Sequence, residues 1–164
     1  MLLRVVLPKE AKLLGINSGE LEIKGSGADT IVRLIAEARA KVVAALANAS
    51  HDRFYLALEN IRGTYDPAVL YAQIALPENA LAGNRFNVQV GSVALYGLRK
   101  ASMPGNESRG LTFVLDSTLA LTELFTVESP YANDIRVRIL AHRELPASTR
   151  IVIGRVSIFS CSPN

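Results

Sequence analysis

The feature that most limits the folds open to this chain is that strand-like segments follow one another without the recurring crossover helices that parallel strands need. In "RFYLALENI" (53–61), Phe54, Leu56 and Leu58 fall on one face and Tyr55, Ala57 and Glu59 on the other. That is the period of two expected of a strand with one buried face. "VLYAQIAL" (69–76), "FNVQVGSVALYGL" (86–98), "LTFVLD" (111–116), "DIRVRILAHR" (134–143) and "TRIVIGRVSIFS" (149–160) also read as strands. Parallel pairing needs a long, usually helical, connection each time. The expected fold is therefore all-β: an antiparallel β-sandwich or barrel, jelly-roll-like, of about eight strands, with one or two short helices. Gly63 and Asp66-Pro67 in "RGTYDPA" (62–68) are turn formers. They make residues 54–77 read as a hairpin.

The first fifty residues are less regular. "LLRVVLP" (2–8) reads as a strand stopped by Pro8, and "GELEIKG" (19–25) as another, preceded by a turn at Asn17-Ser18-Gly19. "GSGADT" (25–30) is a turn; it lacks the third glycine of a dinucleotide loop. "TIVRLI" (30–35) runs into "AEARAKVVAALANA" (36–49), strongly helical by propensity. Two readings stand: a strand then a helix, or one continuous helix from Asp29. Further on, Gly91 interrupts the alternation of 86–98, marking a bulge or a close backbone approach. "DSTLALTELF" (116–125) reads as a short helix with Asp116 as its N-cap, and "RKASMPGNESRG" (99–110) as an exposed loop. The 164 residues suit one domain, 1–164. Its core is 51–160, and 1–50 are either added strands or an N-terminal extension or linker.

The residue inventory excludes several chemistries. Trp is absent, so Leu, Ile, Val and Ala must fill the core. A single Cys, Cys161, allows neither an internal disulfide nor a thiolate zinc site. The two histidines, His51 and His142, have no carboxylate at a spacing that completes a metal triad. No nucleophile elbow is present. Glu59, Glu78, Asp116, Glu123 and Asp134 are scattered among strand ends and caps, and nothing in the sequence pairs them. Asn48-Ala49-Ser50 and Asn106-Glu107-Ser108 are glycosylation triplets of a kind common by chance. No basic leader precedes an apolar stretch, and no run reaches the about twenty residues of a membrane span. Net charge is +3, and residues 131–164 carry five Arg against Asp134 and Glu144, either as a solvated sheet face or as a docking surface for an acidic partner. Aromatics and bases are not interleaved as a nucleic-acid platform requires.

Taken in order, "RFYLALENIRGTYDPAVLYAQIALPENA", "VGSVALYGLRKAS", "GLTFVLDST" and "IRVRILAHRELPASTRIVIGRVSIF" resemble the C-terminal domain of the tyrosinase and polyphenol oxidase family, the type-3 copper proteins. The resemblance implies a β-sandwich that lies over the copper site of a preceding helical domain, keeps phenols out, and is removed or displaced on activation. A type-3 site takes six His, and this chain has two. The expectation is thus a non-catalytic chain with no metal or cofactor of its own. The copper would reside in a partner catalytic domain, fused or separate, and neither nucleic acid nor membrane is an expected partner.

A shield acts by filling space. The segment best suited to this is 99–110, with an apolar tip at Met103-Pro104. Arg99, Lys100, Met103, Pro104 and Arg109 are the candidate lid and partner contacts. Two other classes remain. One is a copper-delivery accessory protein, whose only soft or imidazole ligands would be Met1, Met103, His51, His142 and Cys161. The other is a carbohydrate-binding β-sandwich, which the lack of Trp disfavours.

Overall fold

A computed structural model describes residues 10–75, 87–104, 110–127 and 133–163. The strands are β1 (Lys12–Asn17), β2 (Leu21–Ile23), β3 (Gly27–Leu34), β4 (Arg53–Gly63), β5 (Val69–Ala75), β6 (Asn87–Ala94), β7 (Leu111–Asp116), β8 (Asp134–Ala141) and β9 (Ile151–Cys161). The helices are α1 (Ala36–Leu46), α2 (Leu98–Ala101) and α3 (Thr118–Val127). Eight strands form one antiparallel sheet in the order β6-β5-β8-β3-β1-β9-β4-β7, and β2 pairs with β9 beyond the end of β1. The sheet curls until β6 and β7 face each other without a hydrogen-bonded ladder. The result is a nearly closed barrel.

Alternation decides what fills it. Across β4 and β9 the register puts Leu56 opposite Ile158, Leu58 opposite Val156 and Ile61 opposite Ile153. All six are fully buried. Leu70, Ala72 and Ile74 of β5 and Ile135, Val137 and Ile139 of β8 face the same interior. Truncating any one of the larger side chains to Ala should cost about 2–5 kcal/mol. Two irregularities bend the wall. Asn60, with φ 56°, sits at a register shift in β4, and a second shift in the β5–β6 pair leaves Val90 unpaired beside Gly91. A Cβ on Gly91 would stand 3.2 Å from Leu115 Cδ2 of β7. Of the two expectations at Gly91, the register irregularity is present, while the neighbour across the seam is the Leu115 side chain rather than backbone.

Helices close the ends. At the start of β4, the Phe54 amide donates to Thr118 Oγ1 (2.9 Å) and the Ser117 amide to the Phe54 carbonyl (2.8 Å). These bonds fix α3, whose Leu121 and Leu124 are buried in the same core as Ala38 and Val42 of α1. At the far end of β4, the Gly63 amide donates to Ser102 Oγ (2.9 Å), just after α2.

Several expectations need correction. Residues 54–77 are not a hairpin: β4 pairs with β9 and β7, and β5 with β6 and β8. Alternation sets which face a strand buries, but long-range face matching chooses its partner. Residues 64–68 therefore cross the barrel end. The "GSGADT" turn is shorter than expected, because β3 begins at Gly27. β3 followed by α1 excludes the continuous helix from Asp29. β1 was not expected as a strand, and it lies at the middle of the sheet. The long strand 86–98 stops at Ala94, and the 99–110 loop begins with α2, a third helix. The expected strand 2–8 lies outside the described residues.

Candidate functional site

The candidate lid segment leaves the barrel at the end of β6. Leu95 is buried, and its amide donates to the Ala68 carbonyl (2.9 Å). Tyr96 then projects outward, 77% exposed. Gly97, with φ 79°, turns the chain in a conformation that a side chain resists. Leu98 drops back into the core and starts α2. Ser102 Oγ accepts from Gly63 and donates to the Leu98 carbonyl (2.6 Å). The Arg99 amide donates to Asp66 Oδ1 (2.7 Å), and the Gly110 amide to the Ala101 carbonyl (3.0 Å). A single helical turn has little stability of its own; here the buried Leu98 and three hydrogen bonds, to Gly63, Asp66 and Gly110, hold it. Beyond it Met103 is 59% exposed and Pro104 is exposed.

The fold therefore places Arg99, Lys100, Met103 and Pro104 on one anchored corner, with the two cations exposed on α2. Arg109 lies outside the described residues. Tyr96 belongs to the same corner and was missed, because its run alternated as strand through Leu98. The Tyr96-Gly97 pair just beyond the strand was the available signal.

Several other polar groups are tied into the scaffold. Arg155 pairs with Glu59 through Nε (2.6 Å) and Nη2 (3.0 Å), and the Ser157 hydroxyl donates to the same carboxylate (2.7 Å). The Glu59 hydrogen bond raises the guanidinium pKa further above its ordinary value. Asp116 receives the Thr118 amide (3.0 Å) and ion-pairs with Arg53. Burial pushes its carboxyl pKa up, but the Thr118 amide, the Arg53 guanidinium and the Thr118 hydroxyl together hold it below the ordinary carboxylate value. Because α3 begins at Thr118, the residue at the N-cap position is Ser117, and the expected N-cap Asp116 stands one residue before it while still accepting the Thr118 amide. Asp134 ion-pairs with Arg33 (3.2 Å). Glu59, Asp116 and Asp134 thus each face a cation rather than another carboxylate.

The soft and imidazole ligands are divided between the barrel ends. His51 and Cys161 lie at the α1/α3 end, where Arg53 pairs with Cys161 across the sheet. His142 and Met103 lie at the α2 end, and His142 Nδ1 is within 3.1 Å of the Tyr71 hydroxyl. Among the described residues no group of three or more His, Cys, Asp and Glu could hold a metal ion. No described helix is long and apolar enough to cross a membrane.

These features define a class: a helix-capped antiparallel β-barrel whose exposed apolar corner is fastened to its wall. Within that class the chain belongs to the family described as Domain of unknown function (DUF7868), whose model matches residues 10–161. No curated protein matches the chain.

Proposed function

We propose that this chain is a non-catalytic covering domain for a tyrosinase- or polyphenol oxidase-like copper enzyme, fused to it or separate. It would lie over the dicopper site and keep phenols out by filling the space they need. The resemblance of residues 53–160 motivates the reading. One structural observation carries it: Met103, an exposed apolar tip, stands on a helical turn bolted to the barrel by Leu98, Ser102 and Asp66. A plug ordered before docking loses little conformational freedom on insertion, so more of its burial energy remains as affinity.

The chain supplies volume and rigidity, and the copper belongs to the partner. Adding purified chain to the catalytic domain of a type-3 copper oxidase should suppress diphenol oxidation in a saturable way. Met103→Ser should weaken that inhibition about ten- to a hundredfold, the equivalent of losing the burial of one large apolar side chain. Undiminished turnover at saturating chain, or diphenol oxidation by the chain alone, would sink the reading.

A further inference from the structure

Four cations stand apart from the rest. Arg99, Lys100, Arg143 and Arg150 are exposed and make no side-chain ion pair or hydrogen bond among the described residues. The other described Lys and Arg are ion-paired or otherwise engaged. The four are far apart in sequence, yet the fold gathers them at one barrel end. A Cβ on Gly63 would lie 2.5 Å from the Arg150 carbonyl and 3.0 Å from Leu98 Cδ2, so α2 and Arg150 flank the same backbone. Thr64 binds Arg150 through both strands' ends, its amide to the carbonyl (3.1 Å) and its hydroxyl from the amide (3.4 Å). Arg143 sits on the same β8–β9 connection, just after His142, whose amide donates to the Val69 carbonyl (2.9 Å).

Among the described residues, two carboxylates at this end have no ion pair: Asp66, bound to the Arg99 amide, and Glu144. The cations outnumber them. At the α1/α3 end, by contrast, Lys12, Lys41 and Arg53 are each matched to a carboxylate. The free positive charge among the described residues is therefore concentrated at the barrel end that also carries exposed Tyr96 and Met103. Unpaired cations around an apolar centre are the complement of an apolar mouth rimmed by carboxylates.

We infer that the α2 end of the barrel is a docking face for an acidic protein surface, with Tyr96 and Met103 at its centre and Arg99, Lys100, Arg143 and Arg150 as its steering rim. The inference rests on the covering role and adds the face and the chemistry of the partner's rim. Local carboxylates and a rigid, single-turn presentation favour a protein over a phosphate polymer or a lipid surface.

The test measures binding of the full chain to the catalytic domain of a type-3 copper oxidase by surface plasmon resonance at 50 and 500 mM NaCl. The Arg99→Glu, Lys100→Glu, Arg143→Glu, Arg150→Glu set should lower the association rate tenfold or more at low salt and invert its salt dependence, so that association rises with salt, with a smaller change in dissociation. A neutralising set to Gln, checked for native circular dichroism, should give an intermediate effect and guards against misfolding. Tyr96→Ser with Met103→Ser should act instead on dissociation. Binding that ignores both charge sets overturns this face while leaving the covering role intact. Absence of any binding removes the covering role and this inference together. Tighter, charge-set-sensitive binding to phosphatidylserine vesicles or to single-stranded DNA would overturn the assignment to a protein partner.

Discussion

Two side chains carry more of the scaffold than their exposure implies. Asn17 is buried where β1 gives way to β2, and it replaces the interrupted ladder. Its Oδ1 accepts from the Val156 amide (3.0 Å), and its Nδ2 donates to the Gly19 carbonyl (2.8 Å) and Thr30 Oγ1 (3.2 Å). Asn17→Ala leaves the Val156 amide unpaired and should cost about 1–3 kcal/mol in urea unfolding. Asp116 is the second. Asp116→Ala removes a helix cap and should cost about 1 kcal/mol. Its depressed pKa also gives a pH signature. The stabilisation is present above the unfolded carboxyl value of about 4 and is lost as pH falls through the lower folded value. Melting temperature followed from pH 5 to pH 2 should fall less steeply in Asp116→Asn than in the parent. Parallel curves would show that the Arg53–Asp116 pair contributes nothing to acid sensitivity.

Among the elements, the strands are held unequally. β9 has β1 and β2 on one side and β4 on the other, while β6 and β7 are each paired on one side only. Seam amides should exchange with deuterium well before those of β9, since local opening there breaks one ladder rather than two. Gly91→Val should widen the difference, because the added side chain displaces Leu115 from the gap; uniform protection across β6, β7 and β9 would refute this. The same inequality explains what the sequence disclosed. β5 and β8 were legible because each alternates, β4 because its first half does, and β7 and β9 because they are bounded runs rich in apolar and β-branched residues. β1 was not, because the irregularity between Leu13 and Gly15 breaks its period. The partners of β4 and β5 were also hidden, since both strands pair with strands far along the chain, β4 with β9 and β5 with β8. The candidate site divides similarly. Met103, Arg99 and Lys100 were visible as an exposed polar loop, whereas Arg143 and Arg150 join them only through the crossing of the 64–68 connection.

For the molecule as a whole, most stabilising contacts join distant parts of the chain. β3 and β8 pair over a separation of about a hundred residues, as do β4 and β9, and β1 reaches further still. Refolding should therefore fall in the millisecond-to-second range typical of non-local β topologies rather than in microseconds. A stopped-flow trace complete within the dead time would contradict the topology. A chain ending at Arg150 should lose cooperative unfolding altogether, because it deletes the strand that joins β1 to β4 and uncovers Leu56, Leu58 and Ile61. Residues 151–161 act as a keystone: until a ribosome has delivered them, the nascent polypeptide holds two half-sheets with their oily faces turned to the cytosol or lumen around it. Any organism making this polypeptide must carry those unfinished halves through translation, so holdase chaperones should matter to its yield far more than the calm of the finished barrel would lead one to guess.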